Sequence, residues 1–181
     1  MIEVRESGPE DVIYADAASR LIDSVADEYD IARRTPGWLA AKIKKRHAAL
    51  AVEHGELVGF GYWSAWEHDS FVSHSGLVVR PDRMGRGLGG RLKDVLYHST
   101  RRQLPEATMM SLSTSPQVMK INQSLGFEVV PLDRLTSDPA FWAGCATCRN
   151  FADVRARGEK CCCQGLILTP ERARKHVREN S

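Results

Sequence analysis

The chain has 181 residues, 43% hydrophobic and 27% charged, a composition that excludes a disordered or fibrous chain. Its 25 Lys and Arg against 23 Asp and Glu give a net charge of +2, too even for a nucleic-acid binder, so nucleic acid is not an expected partner. No apolar run reaches the ~20 residues of a membrane span, and MIEVRESGPEDV carries charges where a signal peptide needs an apolar stretch, so a cytoplasmic protein without a membrane partner is expected.

Ile2-Glu3-Val4-Arg5 alternates apolar and polar residues and reads as a first strand. Ser7-Gly8-Pro9-Glu10 is a turn and cap, after which apolar residues recur at helical spacing from Asp11 to Tyr29. Pro36 opens a second short helix with a basic Lys42-Lys44-Lys45-Arg46 face, read as solvated. Strands are expected over 48–52 and 57–63, joined by Glu53-His54-Gly55-Glu56, and over 71–79, ending at Arg80-Pro81. A glycine-rich helix start then runs on to about Arg102. A short strand at 109–112, a helix over 117–125 stopped by Gly126 and a strand at 127–130 follow. Residues 132–148 read as irregular or weakly helical, Leu166-Ile167-Leu168 as a last strand, and Thr169-Pro170-Glu171 as the cap of a basic C-terminal helix. No repeat or linker divides the chain, so one domain over 1–181 is expected.

The strongest chemical signal is Arg83-Met84-Gly85-Arg86-Gly87-Leu88-Gly89-Gly90, where a strand and turn lead into a helix still rich in glycine. Such a helix start presents N–H groups without intrahelical partners and the positive end of the dipole. Glycine lets a phosphate come close to that backbone, so the segment suits a pyrophosphate. A P-loop is excluded because Gly90 is followed by Arg91-Leu92 and not by Lys-Ser or Lys-Thr. Gly85, Gly87 and Gly90 do spell the dinucleotide fingerprint, but they follow roughly four strands, not the first, and Glu106 precedes the next strand instead of ending it.

The segment resembles motif A of the GNAT superfamily of N-acetyltransferases, Gln/Arg-x-x-Gly-x-Gly/Ala. The likeness extends to the strand order and to Leu125-Gly126-Phe127 after a downstream helix. The resemblance implies an α+β fold, an α/β/α sandwich around a mixed, mostly antiparallel sheet splayed between its fourth and fifth strands, with acetyl-CoA as co-substrate in the gap. It also implies cofactor-binding roles. Leu77, Val78 and Val79 would offer backbone groups to the pantetheine arm and acetyl carbonyl, and Gly85, Arg86, Gly87, Leu88, Gly89 and Gly90 would hold the pyrophosphate. Ser115 stands where the family often has a pantetheine-binding Asn. Asn122 stands where the family often has the Tyr that protonates the leaving thiolate, and Met84 replaces the motif's Gln/Arg. A homodimer is compatible with the resemblance, and no surface pattern in the sequence shows one.

Acetyl transfer to an amine needs a base for the ammonium proton and donors for the carbonyl oxygen. His74 at the sheet centre and Glu67 in the preceding turn are the catalytic candidates, against readings as a structural histidine and a solvated loop. Trp63 and Trp66 could line an acceptor pocket or simply pack, and Tyr62 and Tyr97 are spare hydroxyls. The five cysteines all lie between Cys145 and Cys163, in an insertion at about 138–163 before the last strand. Cys145-x2-Cys148 and Cys161-x-Cys163 form two pairs suited to a structural zinc, with Cys162 expected to point away. Reduced buried thiols and a redox pair are the competing readings. Two functions remain open from sequence: an acetyl-CoA-dependent N-acetyltransferase acting on a primary amine in a ternary complex, and a CoA-binding module that has lost catalysis, motivated by Met84 and Asn122.

Overall fold

The computed structural model describes residues 1–179. Seven strands form one sheet in the order β1-β2-β3-β4-β5-β7-β6, comprising β1 (Ile2–Glu6), β2 (Ala48–Glu53), β3 (Glu56–Trp66), β4 (Phe71–Val79), β5 (Thr108–Ser113), β6 (Glu128–Val130) and β7 (Gln164–Leu168). Every neighbouring pair is antiparallel except β4 and β5. No described helix is long and apolar enough to cross a membrane.

Alternation along the strands supplies two buried faces. Leu50, Phe60, Tyr62 and Val78 meet α1 (Ala15–Val25) and α2 (Pro36–Lys44) on one face. Ala49, Ala51, Val58, Trp63 and Val72 meet Leu92 and Leu96 of α3 (Leu88–Gln103) on the other. Beyond β5 the first face is closed by Phe141 and Trp142 of α5 (Pro139–Ala143), which pack with Met110 and Ile167. The second face is closed there by Met119 of α4 (Pro116–Ser124), Phe127 and Ala173 of α7 (Pro170–Glu179).

The expected helix from Asp11 begins instead as a 3-10 turn over Pro9–Tyr14 and becomes α-helical at Ala15. Asp11 is spent on the entry: its carboxylate takes the Gly8 N–H at 2.7 Å and both Arg5 guanidinium nitrogens at 2.6 and 2.7 Å. The segment between β6 and β7, expected as irregular or weakly helical up to residue 148, carries the short helix α5 there and α6 (Phe151–Ala156) beyond it.

Two details open the sheet. β4 and β5 pair only from Phe71–Thr108 to His74–Ser111, although β4 runs on to Val79 and β5 to Ser113. The β3–β4 register also slips between Phe60–Val78 and Tyr62–Ser75, leaving a bulge at Gly76 and Leu77. Gly76 has φ +60°, and a Cβ there would collide with the Tyr62 ring. The splay expected between the fourth and fifth strands is therefore present, and the bulge lies in the half of β4 that no longer pairs with β5.

Candidate active site

The fork opens into a cavity of about 970 Å³. Its floor includes His74, Lys93 and Ser111. One wall is Leu77–Val79 with the start of α3, and the other is Ser113–Ser115. Beyond β4, with its separation from β5, no strand covers the outer edge of Ser75–Val79, so backbone polar groups there are open to a ligand.

The glycine segment forms the mouth. Gly85 and Gly87 have φ +76° and +72°, which favour glycine, and Gly87 caps α3 in the left-handed conformation. The first helical bond at this end runs from Arg91 N–H to Gly87 C=O, so the amides of Leu88, Gly89 and Gly90 lack intrahelical acceptors. A Cβ on Gly85, Gly87 or Gly90 would meet only open space. The room above these glycines fits the pyrophosphate expected there. Arg86 is exposed and does not line the cavity, while Arg83 does line it and is ion-paired to Glu53 and Asp82. Met84 lies at the mouth, with Tyr29 Oη 3.7 Å from its sulfur.

Ser115 lines the opposite wall, but its hydroxyl accepts the Val118 N–H and caps α4. Asn122 is fully buried behind that wall. Its Nδ2 donates to Ser111 Oγ at 3.3 Å, and its Oδ1 has no partner among the described residues. His74 is the last β4 residue paired with β5, opposite Ser111, with Nε2 3.0 Å from Thr100 Oγ1 and Nδ1 without a partner among the described residues. Burial, with Lys93 and Arg101 nearby, pushes its pKa well below the ordinary histidine value. This environment disfavours the base role expected at His74, because an imidazolium there would be desolvated and repelled by cations.

Glu67, the other catalytic candidate, is engaged elsewhere. It lies outside the cavity lining, and its Oε1 accepts from the Thr136 hydroxyl, from Ser137 N–H at 2.7 Å and from Ser137 Oγ–H at 3.2 Å. These bonds, Thr136 first, hold its carboxyl below the usual range. Glu67 ties the β3–β4 turn to the insertion. Trp63 is a core residue, stacked on His47 and donating from Nε1 to Ser99 at 3.1 Å. Trp66 does reach the cavity, with Nε1 donating to Ser73 at 2.8 Å. Tyr62 faces the cavity beside Arg34 and Ser75, whereas Tyr97 packs against the α7 side.

Sequence reasoning missed two cavity residues. Lys93 is 2% exposed, lies with its ammonium 4.8 Å from the Phe127 ring centroid, and has its pKa lowered by burial from 10.5 to about 7. Its only sequence signal is a helical position next to Leu92 and one turn before Leu96, facing the sheet. Arg34 docks on the insertion through Gly144 C=O at 3.0 Å and left no local signal.

All five cysteines line the cavity on the acceptor side of the sheet and are free thiols. Cys145 and Cys148 flank a single turn closed by a 2.9 Å bond from Cys148 N–H to Cys145 C=O. The sulfurs of Cys161, Cys162 and Cys163 lie within 4.8 Å of one another, so Cys162 does not point away as expected.

No family model and no curated protein matches the chain in sequence. Solved structures do match in fold. N-acetylglutamate synthase from Neisseria gonorrhoeae, bound to coenzyme A and N-acetyl-glutamate, has a TM-score of 0.63 at 18% identity over 93% of this chain, which spans 35% of that one. A Mycobacterium tuberculosis protein in complex with CoA gives 0.65 at 16% identity, over 92% of this chain and 98% of that one. The GNAT-superfamily phosphinothricin acetyltransferase of Sinorhizobium meliloti, in complex with acetyl-CoA, gives 0.54 at 18% identity over 72% and 76%. With its single parallel pair forking above a glycine-capped α3, this chain has the fold of the GNAT acetyltransferases.

Proposed function

We propose that the protein is an acetyl-CoA-dependent N-acetyltransferase acting on a primary amine by direct attack in a ternary complex. The carrying observation is the fork between β4 and β5 opening onto uncapped α3 amides around a cavity of about 970 Å³. In this reading the Leu88–Gly90 amides hold the pyrophosphate, and the open backbone of Leu77, Val78 and Val79 holds the pantetheine arm. An N–H of that segment stabilises the carbonyl oxygen as it gains charge. Coenzyme A bound to three structural neighbours supports the reading.

The proton steps divide between the two faces of the sheet. On the acceptor face, Tyr62 and Ser75 are paired across β3 and β4, as are Ser64 and Ser73, and all four line the cavity. This row of hydroxyls conducts the ammonium proton toward solvent, and Ser64 Oγ, buried without a partner among the described residues, has a bond to spare for that water chain. On the opposite face Asn122 cannot act as an acid. Lys93, on the cavity floor with a pKa near 7, takes that role and delivers a proton to the departing thiolate. Calorimetry with CoA and thiol release across an amine panel test the reading. Turnover of an amine supports it; CoA binding without turnover of any amine favours a CoA-binding module, and no CoA binding overturns both.

A further inference from the structure

The thiols of the insertion take no part in that chemistry, yet they are the densest group of ligating atoms among the described residues. Cys161 is the hub. The thiol of Cys145 lies beside it, and the sulfur of Cys163 is within 4.8 Å. Cys148 lies near enough to feel the charge of Cys161. The backbone N–H of Cys163 points at the Cys161 sulfur at 3.4 Å, which folds the two thiols back on one another.

We propose that the insertion holds one soft divalent cation, zinc in the first instance, on the sulfurs of Cys145, Cys148, Cys161 and Cys163. An all-sulfur donor set excludes magnesium and calcium, which require oxygen. The nearest carboxylate, Asp30, is occupied by Arg149 at 2.6 Å, Asn150 at 2.9 Å and Thr114 at 2.9 Å. Four thiolates with one such cation leave a charge of −2, which Arg34 beside Cys145 partly offsets. Cys162 is left out because it is exposed and its sulfur already accepts from the Asn150 side chain at 3.3 Å. Four protein ligands close the coordination sphere, so the metal is a staple and not a Lewis acid. It joins the turn after α5 to the residues leading into β7, and so fixes the wall on which Arg34 docks.

The test reads metal directly and does not depend on acetyl transfer. Protein purified in reductant without chelator is analysed for metal content and by native mass spectrometry. It is then stripped and titrated with Zn2+, and with Co2+ as a spectroscopic probe. One bound equivalent, the visible bands of a tetrahedral cobalt thiolate, and loss of stoichiometric binding in Cys148→Ser and Cys161→Ser are expected, with Cys162→Ser still binding one equivalent. Failure of the reduced, folded wild-type chain to take up either ion overturns the site. So does a Cys145–Cys161 disulfide that persists in reductant, or a Cys162→Ser variant that alone loses the metal. Should Cys161→Ser fail to fold, wild-type stoichiometry and Cys148→Ser decide.

Discussion

Lys93 places an ammonium under the sheet, where burial alone lowers its pKa from 10.5 to about 7. Between those values the unfolded chain holds a proton that the folded chain has released, so this residue makes stability rise with pH across that window. Below about pH 7 both states are protonated and the full cost is felt. Lys93→Met is expected to stabilise the fold by a few kcal/mol at pH 6 and progressively less toward pH 10.5, read by denaturant unfolding. If Lys93 protonates the thiolate, the same variant lowers kcat by roughly 10²–10⁴ and removes the decline in kcat above pH ~7. A stabilised variant with unchanged kcat would leave Lys93 a core residue only. His74 is expected to behave oppositely. His74→Ala should cost about 1–3 kcal/mol by orphaning Thr100 Oγ1, while leaving the shape of the pH–rate profile unchanged.

The first turn of α3 shows how an element can trade stability for binding. Gly90 has ordinary helical φ and open space where a Cβ would go, so its glycine is not required by the fold. Gly90→Ala is expected to stabilise the protein by up to about 1 kcal/mol through helix propensity. It should also weaken CoA by at least ~10-fold, because a methyl group narrows the approach to the α3 amides. Unfolding and calorimetry on the one variant should therefore move in opposite directions; unchanged CoA affinity would place the pyrophosphate elsewhere. Gly76 differs. Its φ of +60° and the Tyr62 ring both oppose a side chain, so Gly76→Ala should lose stability and CoA affinity together as the bulge shifts.

Across the whole molecule, the fork divides the sheet into β1–β4 and β5–β7–β6, joined by four residue pairs of one parallel ladder. A ligand seated in the fork touches both parts and binds the folded state only. CoA at 100 times its Kd should add about 2.7 kcal/mol of stability and raise Tm by roughly 5–10 °C. A Tm unmoved by saturating CoA would contradict the site. Glu67 gives the β1–β4 part a second tie, to Thr136 and Ser137 at the start of the insertion, and Arg34 gives a third, to Gly144.

What the sequence determined was local. The β4 boundaries and the glycine cap of α3 follow from alternation and backbone freedom, which need no distant partner. Only the tertiary structure decided what distant segments do to one another. Lys93 stands between Arg91 and Asp94 like a surface residue until β4, β5 and Phe127 enclose it. Glu67 looked available until residues 136–137, some seventy positions on, took its carboxylate, and Cys162 joined its neighbours only once the chain entering β7 had bent toward α6. Spacing specifies which side chains share an element, whereas burial and electrostatics depend on what the folded chain brings against it.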